Sequence, residues 1–173
     1  MSDKSSLIDL LSMAEPKPEL RLKIIRGVEK LTDICFKCMK CTSGCTSMKL
    51  LELKPHIIVN LVRMGFVDEL VSSTMIWDCS ICLKCKERCP QEVSPVDIIL
   101  ALRCEAVVRG LEAPEEYRSM LTCIMENGLA YREKKRVVEG VEYDRVKLGL
   151  PKIKGPKETF MNAMFMVFGE VLG

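Results

Sequence analysis

The sequence predicts an all-α protein, and three observations carry that prediction. The first is a duplicated cysteine pattern. Cys35, Cys38, Cys41 and Cys45 form a C-x2-C-x2-C-x3-C run, and Cys79, Cys82, Cys85 and Cys89 repeat it 44 positions later, followed by Pro90. The second is the 33-residue segment between the runs, where apolar residues recur at helical spacing. The third is a proline suited to opening a helix after each run: Pro55, ten residues past Cys45, and Pro95, six past Cys89. No alternating β pattern of useful length accompanies them.

Three thiolates at intervals of three residues can wrap one side of an iron–sulfur cubane, and a fourth just past them points elsewhere. In two-cluster ferredoxins that fourth cysteine ligates the other cluster. The expected cofactors are therefore two [4Fe–4S] clusters. Cluster 1 would take Cys35, Cys38, Cys41 and Cys89; cluster 2 would take Cys79, Cys82, Cys85 and Cys45. The chemistry implied is one-electron transfer. Structural zinc fits poorly, because its sites usually pair two C-x2-C knuckles across a long loop. Disulfides need an oxidising compartment, and Met1 to Ser6 does not read as the start of a secretory signal. Clustered reduced thiols point to the cytoplasm.

Taken in order, residues 1–18 read as an N-terminal arm, with an apolar patch from Leu7 to Leu11 and then Pro16 and Pro18. From Glu19 a mixed segment leads to Leu31 and the first run. Residues 19–128 read as a helical dicluster domain. Within it, Pro55 opens a helix carrying Ile57, Ile58, Leu61 and Val62, and Gly65 stops it. A short helix fits Val67 to Ser72. Ser94-Pro95-Val96-Asp97 supplies an N-cap, a proline at N1 and an acid near the positive helix end, for a helix running to Arg109 and stopping at Gly110. Ala113-Pro114-Glu115-Glu116 starts another, ending at Asn127-Gly128. Residues 129–173 form a C-terminal extension, and its apolar segment Phe160 to Phe168 is expected to be helical and to be buried either on its own domain or by docking on a partner, with an interfacial membrane helix the weakest reading. The long insert between the runs argues against the βαββαβ sheet of small bacterial ferredoxins.

Composition is that of a globular chain: 173 residues, 48 % hydrophobic and 29 % charged. The formal charge of +2 counts the thiols as neutral. Each cubane held by four thiolates carries about −2, so the loaded chain would sit near −2. The basic pI near 8.0 thus belongs to the bare chain and gives no reason to expect nucleic acid. No apolar stretch reaches the ~20 residues a membrane span needs.

The run Cys35-Phe36-Lys37-Cys38-Met39-Lys40-Cys41-Thr42-Ser43-Gly44-Cys45 resembles the first cluster motif of the iron–sulfur electron-transfer subunit (the C-subunit) of heterodisulfide reductase. The second run does likewise in its context, Trp77-Asp78-Cys79 and Glu87-Arg88-Cys89-Pro90-Gln91, as do Pro95, Asp97 and Leu102-Arg103. The resemblance covers about Leu31 to Gly110. It implies the helical dicluster fold also found in the C-terminal half of succinate dehydrogenase iron–sulfur subunits. It further implies an electron-relay subunit without a substrate site of its own. That subunit would receive electrons from a flavin-containing iron–sulfur subunit and pass them to a Cys-Cys-Gly-bearing catalytic subunit, which reduces the coenzyme M–coenzyme B heterodisulfide of methanogens. Two positions depart from the pattern: Met39 stands where similar motifs often have Gly, and Thr46 where Pro usually follows the fourth cysteine. The chain has no Cys-Cys pair, no nucleotide-binding glycine loop and no plant-type ferredoxin spacing. A freestanding helical ferredoxin, or the iron–sulfur subunit of a membrane-associated quinone or disulfide reductase, are the other readings.

The remaining reactive residues have plain readings. Cys104 and Cys123 lie outside both runs and are expected to be small buried hydrophobes. His56, the one histidine, is expected at a helix start with no ligand role. Lys37, Lys40, Lys84, Lys86 and Arg88 are solvated cations that would also favour a reduced cluster or an acidic partner. Arg132, Lys134, Lys135 and Arg136 read as a solvated face.

Overall fold

A computed structural model describes residues 14–26, 32–51, 53–131, 136–138, 140–151 and 155–172. The chain divides into two compact units, 1–113 and 114–173. The patch at Leu7 to Leu11, and Arg132, Lys134 and Lys135 of the basic run, lie outside the described residues.

The first unit is helical. Its elements are α1 (Pro18–Ile25), α2 (Lys40–Ser43), α3 (Thr46–Leu50), α4 (Pro55–Met64), α5 (Val67–Ser72), α6 (Lys84–Glu87) and α7 (Pro95–Val108), with 3-10 turns at Thr32–Ile34 and Thr74–Asp78. Helix α4 begins with Pro55 at its first position, where the missing N–H costs nothing. It ends at Gly65, whose φ of +92° closes a Schellman motif: the Gly65 N–H donates to Val62 and the Phe66 N–H to Leu61. Helix α7 repeats the arrangement, with Gly110 donating to Val107 and Leu111 to Ala106.

Helix α7 is the centre of this unit and packs against α1, α4, α5 and α6. Val96, Ile98, Ile99 and Leu102 are fully buried along it, against Ile58, Val59 and Val62 of α4 and Val67 and Leu70 of α5. Truncating such a residue to Ala typically costs about 2–5 kcal/mol. One edge of this core is polar. Lys17 pairs with Asp68 (2.7 Å), Asp68 with Arg109 (2.5 Å), Arg109 with Glu105 (2.7 Å) and Glu105 with Lys23 (2.8 Å), tying the start of the chain to α5 and α7.

Three expectations change here. Pro18 opens α1, with Glu19 in the first turn, so ordered helix begins inside the segment read as arm and mixed chain. Lys17 also binds this unit, its N–H donating to the Gly65 carbonyl at 3.1 Å. Ser94 is not a side-chain cap: it sits at φ +51°, and its buried hydroxyl has no hydrogen-bond partner among the described residues. Proline at N1 and Asp97 in the first turn are enough to start α7.

The second unit holds α8 (Glu115–Asn127), a short antiparallel pair of strands, β1 (Arg136–Val138) and β2 (Val141–Tyr143), and α9 (Glu158–Leu172). Helix α8 groups with this unit, whereas the sequence reading carried the dicluster domain to residue 128. The strands correct the all-α expectation locally. Val138 pairs with Val141, leaving a two-residue connection in which Gly140 takes φ +78°, as tight hairpins require. Along α9, Phe160, Asn162, Ala163 and Met166 are exposed, while Met161 and Met164 are half-buried. No helix among the described residues is long and apolar enough to cross a membrane.

Candidate functional site

Two cavities of the first unit divide the eight cysteines of the runs between them. The first is lined by Cys35, Cys38, Cys41 and Cys89, with Phe36, Met39, His56, Val59, Val93 and Pro95 among its walls. The second is lined by Cys45, Cys79, Cys82 and Cys85, with Leu53, Pro55, Leu83, Val96 and Ile99. Each cavity thus gathers three cysteines of one run and the last cysteine of the other. Among the described residues, no three Cys, His, Asp or Glu side chains meet at a point as the ligands of a single ion do. The thiols stand around a space instead.

The backbone explains how three closely spaced thiols face one way. Lys37 and Met39 have φ of +54° and +60°, and their counterparts Ile81 and Leu83 have +53° and +62°. Left-handed residues between successive cysteines turn the chain back on itself twice within each run. For non-glycine residues, and a β-branched Ile above all, this conformation is strained by about 1–3 kcal/mol each. Strain repeated at equivalent positions of both runs marks loops shaped around something other than their own packing.

The lining suits an anionic, sulfur-rich group. Backbone N–H groups face the sulfurs: Lys37 donates to Cys35 Sγ (3.5 Å) and Val93 to Cys89 Sγ (3.3 Å). In the second cavity the N–H groups of Ile81, Lys84 and Val96 face Cys79, Cys82 and Cys85. The first residues of α4 and α7, at the positive ends of their dipoles, line both cavities. Burial pushes the thiols of Cys41 and Cys79 up and that of Cys85 up to about 11. The Lys84 N–H brings Cys82 below the ordinary thiol range. Metal coordination removes such protons outright. A donor set of four thiols, N–H donors to sulfur and apolar walls fits a [4Fe–4S] cluster in each cavity.

The other sequence-predicted residues are less uniform. Lys37, Lys40, Lys84, Lys86 and Arg88 are all exposed. Lys86 reaches Asp97 (3.3 Å), and Lys84 reaches Thr46 Oγ1 (3.3 Å). Thr46, the residue in place of proline, starts α3, and its hydroxyl also favours the Cys82 thiolate. Cys123 is buried as expected, but Cys104 is exposed, on a face of α7 turned away from the core. His56 lines the first cavity, with Nδ1 2.6 Å from Thr42 Oγ1, and burial, with Lys54 adding to it, lowers its pKa. Spacing held a clue to that: His56 follows Pro55 as Val96 follows Pro95, each at the mouth of a helix. Sequence reasoning placed Arg103 in the resemblance but gave it no role of its own. Arg103 is buried, donates to three backbone carbonyls beside Cys79, and lies 5.3 Å from the centre of the Trp77 ring.

Comparison with known proteins gives a consistent set. A family described as a 4Fe-4S dicluster domain matches residues 34–94. The chain is 35 % identical over 82 residues to the C-subunit of the H(2):CoB-CoM heterodisulfide,ferredoxin reductase of Methanothermobacter thermautotrophicus, covering 47 % of this chain and 44 % of that one. It is 31 % identical over 140 residues to an iron-sulfur C-subunit, the second of that name, of the CoB–CoM heterodisulfide reductase of Methanocaldococcus jannaschii, covering 80 % and 72 %. With the C-subunit of the ferredoxin:CoB-CoM heterodisulfide reductase of Methanosarcina mazei the identity is 30 % over 145 residues, covering 83 % and 85 %. The match thus spans less than half of the first of these relatives and most of the other two.

Proposed function

The chain belongs to the family of iron–sulfur C-subunits of CoB–CoM heterodisulfide reductases, and from that premise we propose that it is the electron relay of such a complex. It would hold two [4Fe–4S] clusters, with Cys35, Cys38, Cys41 and Cys89 on the first and Cys79, Cys82, Cys85 and Cys45 on the second. Donor and acceptor are a flavin-containing iron–sulfur subunit and a Cys-Cys-Gly-bearing catalytic subunit, and the setting is the cytoplasm. The observation that carries the reading is the division of eight thiols between two cavities, each taking one cysteine from the other run.

When bound, a [4Fe–4S] cluster supplies one-electron transfer. The chain's own part is to hold and shield. Thiols and N–H groups fix and stabilise negative charge on sulfur, and apolar walls at Val59, Val93, Leu53 and Ile99 keep water from it. Cys38 and Cys82 are the exposed members of the two sets, so each site has one edge at the surface. Phe36, Met39, Ile81 and Leu83 are exposed around these edges, 70, 52, 43 and 48 % respectively, which suits contact with protein partners. Four-thiolate sites leave no open position for a substrate, so disulfide reduction belongs to another chain.

Anaerobic purification tests the reading. The protein should carry about eight iron and eight sulfide, as two cubanes require, and should co-elute with flavin-containing and cysteine-rich chains. Two zinc atoms and little iron would overturn the cluster assignment. Isolation of a fully loaded chain without partners, under conditions that preserve the complex, would favour a freestanding carrier.

A further inference from the structure

Each of the two proline-opened helices begins beside the third cysteine of a run, and the two serve it differently. At the second site the amide of Val96, next to the opening proline of α7, faces the Cys85 sulfur directly. His56 stands in the same place on α4, next to Pro55, but its N–H donates to Thr42 Oγ1 at 3.2 Å. Thr42 follows Cys41 where Lys86 follows Cys85, and it is 5 % exposed. Its hydroxyl therefore stands between the helix and the ligand: the oxygen lies 2.6 Å from His56 Nδ1 and 3.9 Å from Cys41 Sγ. Burial pushes the Cys41 thiol up, and this hydroxyl opposes burial more than any other neighbour, as a donor to the thiolate does.

A hydroxyl has one hydrogen to give and two lone pairs to receive. The His56 N–H fills one lone pair of Thr42. With a hydrogen on Nδ1, the His56 ring fills the other, and the hydroxyl hydrogen turns to Cys41. With Nδ1 bare, the ring takes that hydrogen and the sulfur loses this donor. A thiolate of a cluster carrying about −2 is the stronger acceptor, so the loaded site selects Nδ1–H. The ring need not change charge, because one of its two neutral tautomers carries that hydrogen.

We propose that in the loaded protein Thr42 donates its hydroxyl hydrogen to Cys41, that His56 is the positioning residue that aims it, and that the pair raises the potential of the first cluster. The proposal rests on the relay reading. Reduction adds negative charge to the ligand sulfurs, and a hydrogen bond to one of them stabilises that charge. The bond is stronger where water is excluded.

The test is a reductive titration of the full-length, cluster-loaded chain followed by EPR, with a Cys38→Ser protein identifying the first cluster's signal. Thr42→Val removes the hydroxyl at nearly constant volume and should move that signal's midpoint to lower potential. Thr42→Ser keeps the hydroxyl and should stay near wild type. His56→Phe should shift the midpoint the same way by less, because the hydroxyl is present but no longer aimed. His56→Asn, which can place a donor near the Nδ1 position, should recover part of that shift. In the Thr42→Val background His56→Phe should add nothing, and the second cluster's midpoint should stay fixed throughout. An unmoved first-cluster midpoint in loaded Thr42→Val would overturn the proposal. So would a shift to higher potential in His56→Phe, which would mean that the ring holds the hydroxyl hydrogen, or an undiminished His56→Phe shift on top of Thr42→Val. Should Thr42→Val fail to load, the histidine variants decide, and an unmoved midpoint in His56→Phe sinks the idea. If Thr42 only caps α4, Thr42→Val costs stability or occupancy without moving the potential of loaded molecules. Iron and sulfide well short of two clusters in the wild type would instead overturn the relay reading itself.

Discussion

Gly44 and Arg88 occupy equivalent positions in the two cysteine runs, and they touch. The Arg88 side chain lies over the bare Cα of Gly44, where a Cβ would come 2.6 Å from Cζ and 2.9 Å from Cδ. Each residue directly precedes the cysteine that reaches across to the other cavity. The one-turn helices α2 and α6 pack together at this point, so the duplicated runs meet where they exchange their last thiol.

A side chain at Gly44 therefore collides with Arg88 rather than with its own backbone, because its φ of −97° suits any residue. Arg88 is exposed and can swing away. Gly44→Ala should cost under about 1 kcal/mol, and the cost should vanish in an Arg88→Ala background. A double-mutant cycle on denaturant-induced cluster loss measures the coupling. Additive effects would mean that the contact carries no energy.

Gly65 is a different case. Its φ of +92° disfavours any side chain, and a Cβ would come within 2.7–2.9 Å of Lys17 backbone atoms, which are held by the Lys17 N–H to Gly65 carbonyl bond. Gly110 has φ +73° but open space around it. Gly110→Ala should cost about 1–2 kcal/mol from conformation alone. Gly65→Ala should cost distinctly more, because backbone has to move as well. Equal losses in denaturant midpoint would mean that the Lys17 segment yields freely.

Much of this was legible in the sequence, for a physical reason. Pro55 with Gly65, Pro95 with Gly110 and Pro114 with Gly128 mark helix ends through local backbone rules, and the structure places α4, α7 and α8 between them. The role of Arg103 was not legible. The main-chain carbonyls it donates to lie 24 to 27 residues away and leave no trace in a side-chain pattern. The exposure of Cys104 was hidden for a related reason: α7 is apolar on nearly every side, so its periodicity does not say which residue faces out. The hairpin escaped because three-residue strands are too short for alternation to show.

Met39 departs from the glycine common in similar motifs, and the structure shows why glycine suits that place. Its φ of +60° costs a non-glycine residue about 1–2 kcal/mol, while glycine loses about 0.5–1 kcal/mol more in chain entropy on folding. Met39→Gly should be neutral or stabilising by up to about 1 kcal/mol, with full iron content retained. A clear loss of stability would show that the methionine's apolar cover over the first cavity outweighs its strain.

Acid should loosen the contact between α1, α5 and α7. The hydrogen bond from Lys17, followed by that from Arg109, holds the Asp68 carboxyl below its ordinary value of 3.8. For Glu105, burial pushes the carboxyl up, but the bonds from Lys23 and Arg109 outweigh it and leave the group below 4.5. Carboxylates depressed in the folded state stabilise it above their unfolded values, and that contribution disappears as pH falls through the folded values. The loss therefore lies below about pH 4. Glu105→Gln should cost about 1–2 kcal/mol at pH 7, and its difference from wild type should shrink below pH 4. Comparing denaturant midpoints of the two proteins cancels the acid lability of clusters common to both.

The exchange of cysteines between runs can be tested at the two residues that make it. Cys45 lines the cavity of the second run and Cys89 that of the first. Cys45 directly precedes α3, with an extended backbone at φ −73° and ψ 126°, and its N–H donates to the Thr42 carbonyl. Cys89 is fixed by its own N–H to the Lys86 carbonyl and by the Val93 N–H to its sulfur. Turning either thiol back to its own run would require rebuilding these turns. Cys45→Ser should therefore alter the EPR signal that Cys82→Ser also alters, and Cys89→Ser the one that Cys38→Ser alters. A variant that disturbed the signal of its own run instead would show that the backbone rearranges when clusters are inserted. The strain at Lys37, Met39, Ile81 and Leu83 argues against that outcome, since loops already bent around the cavities have little left to rearrange.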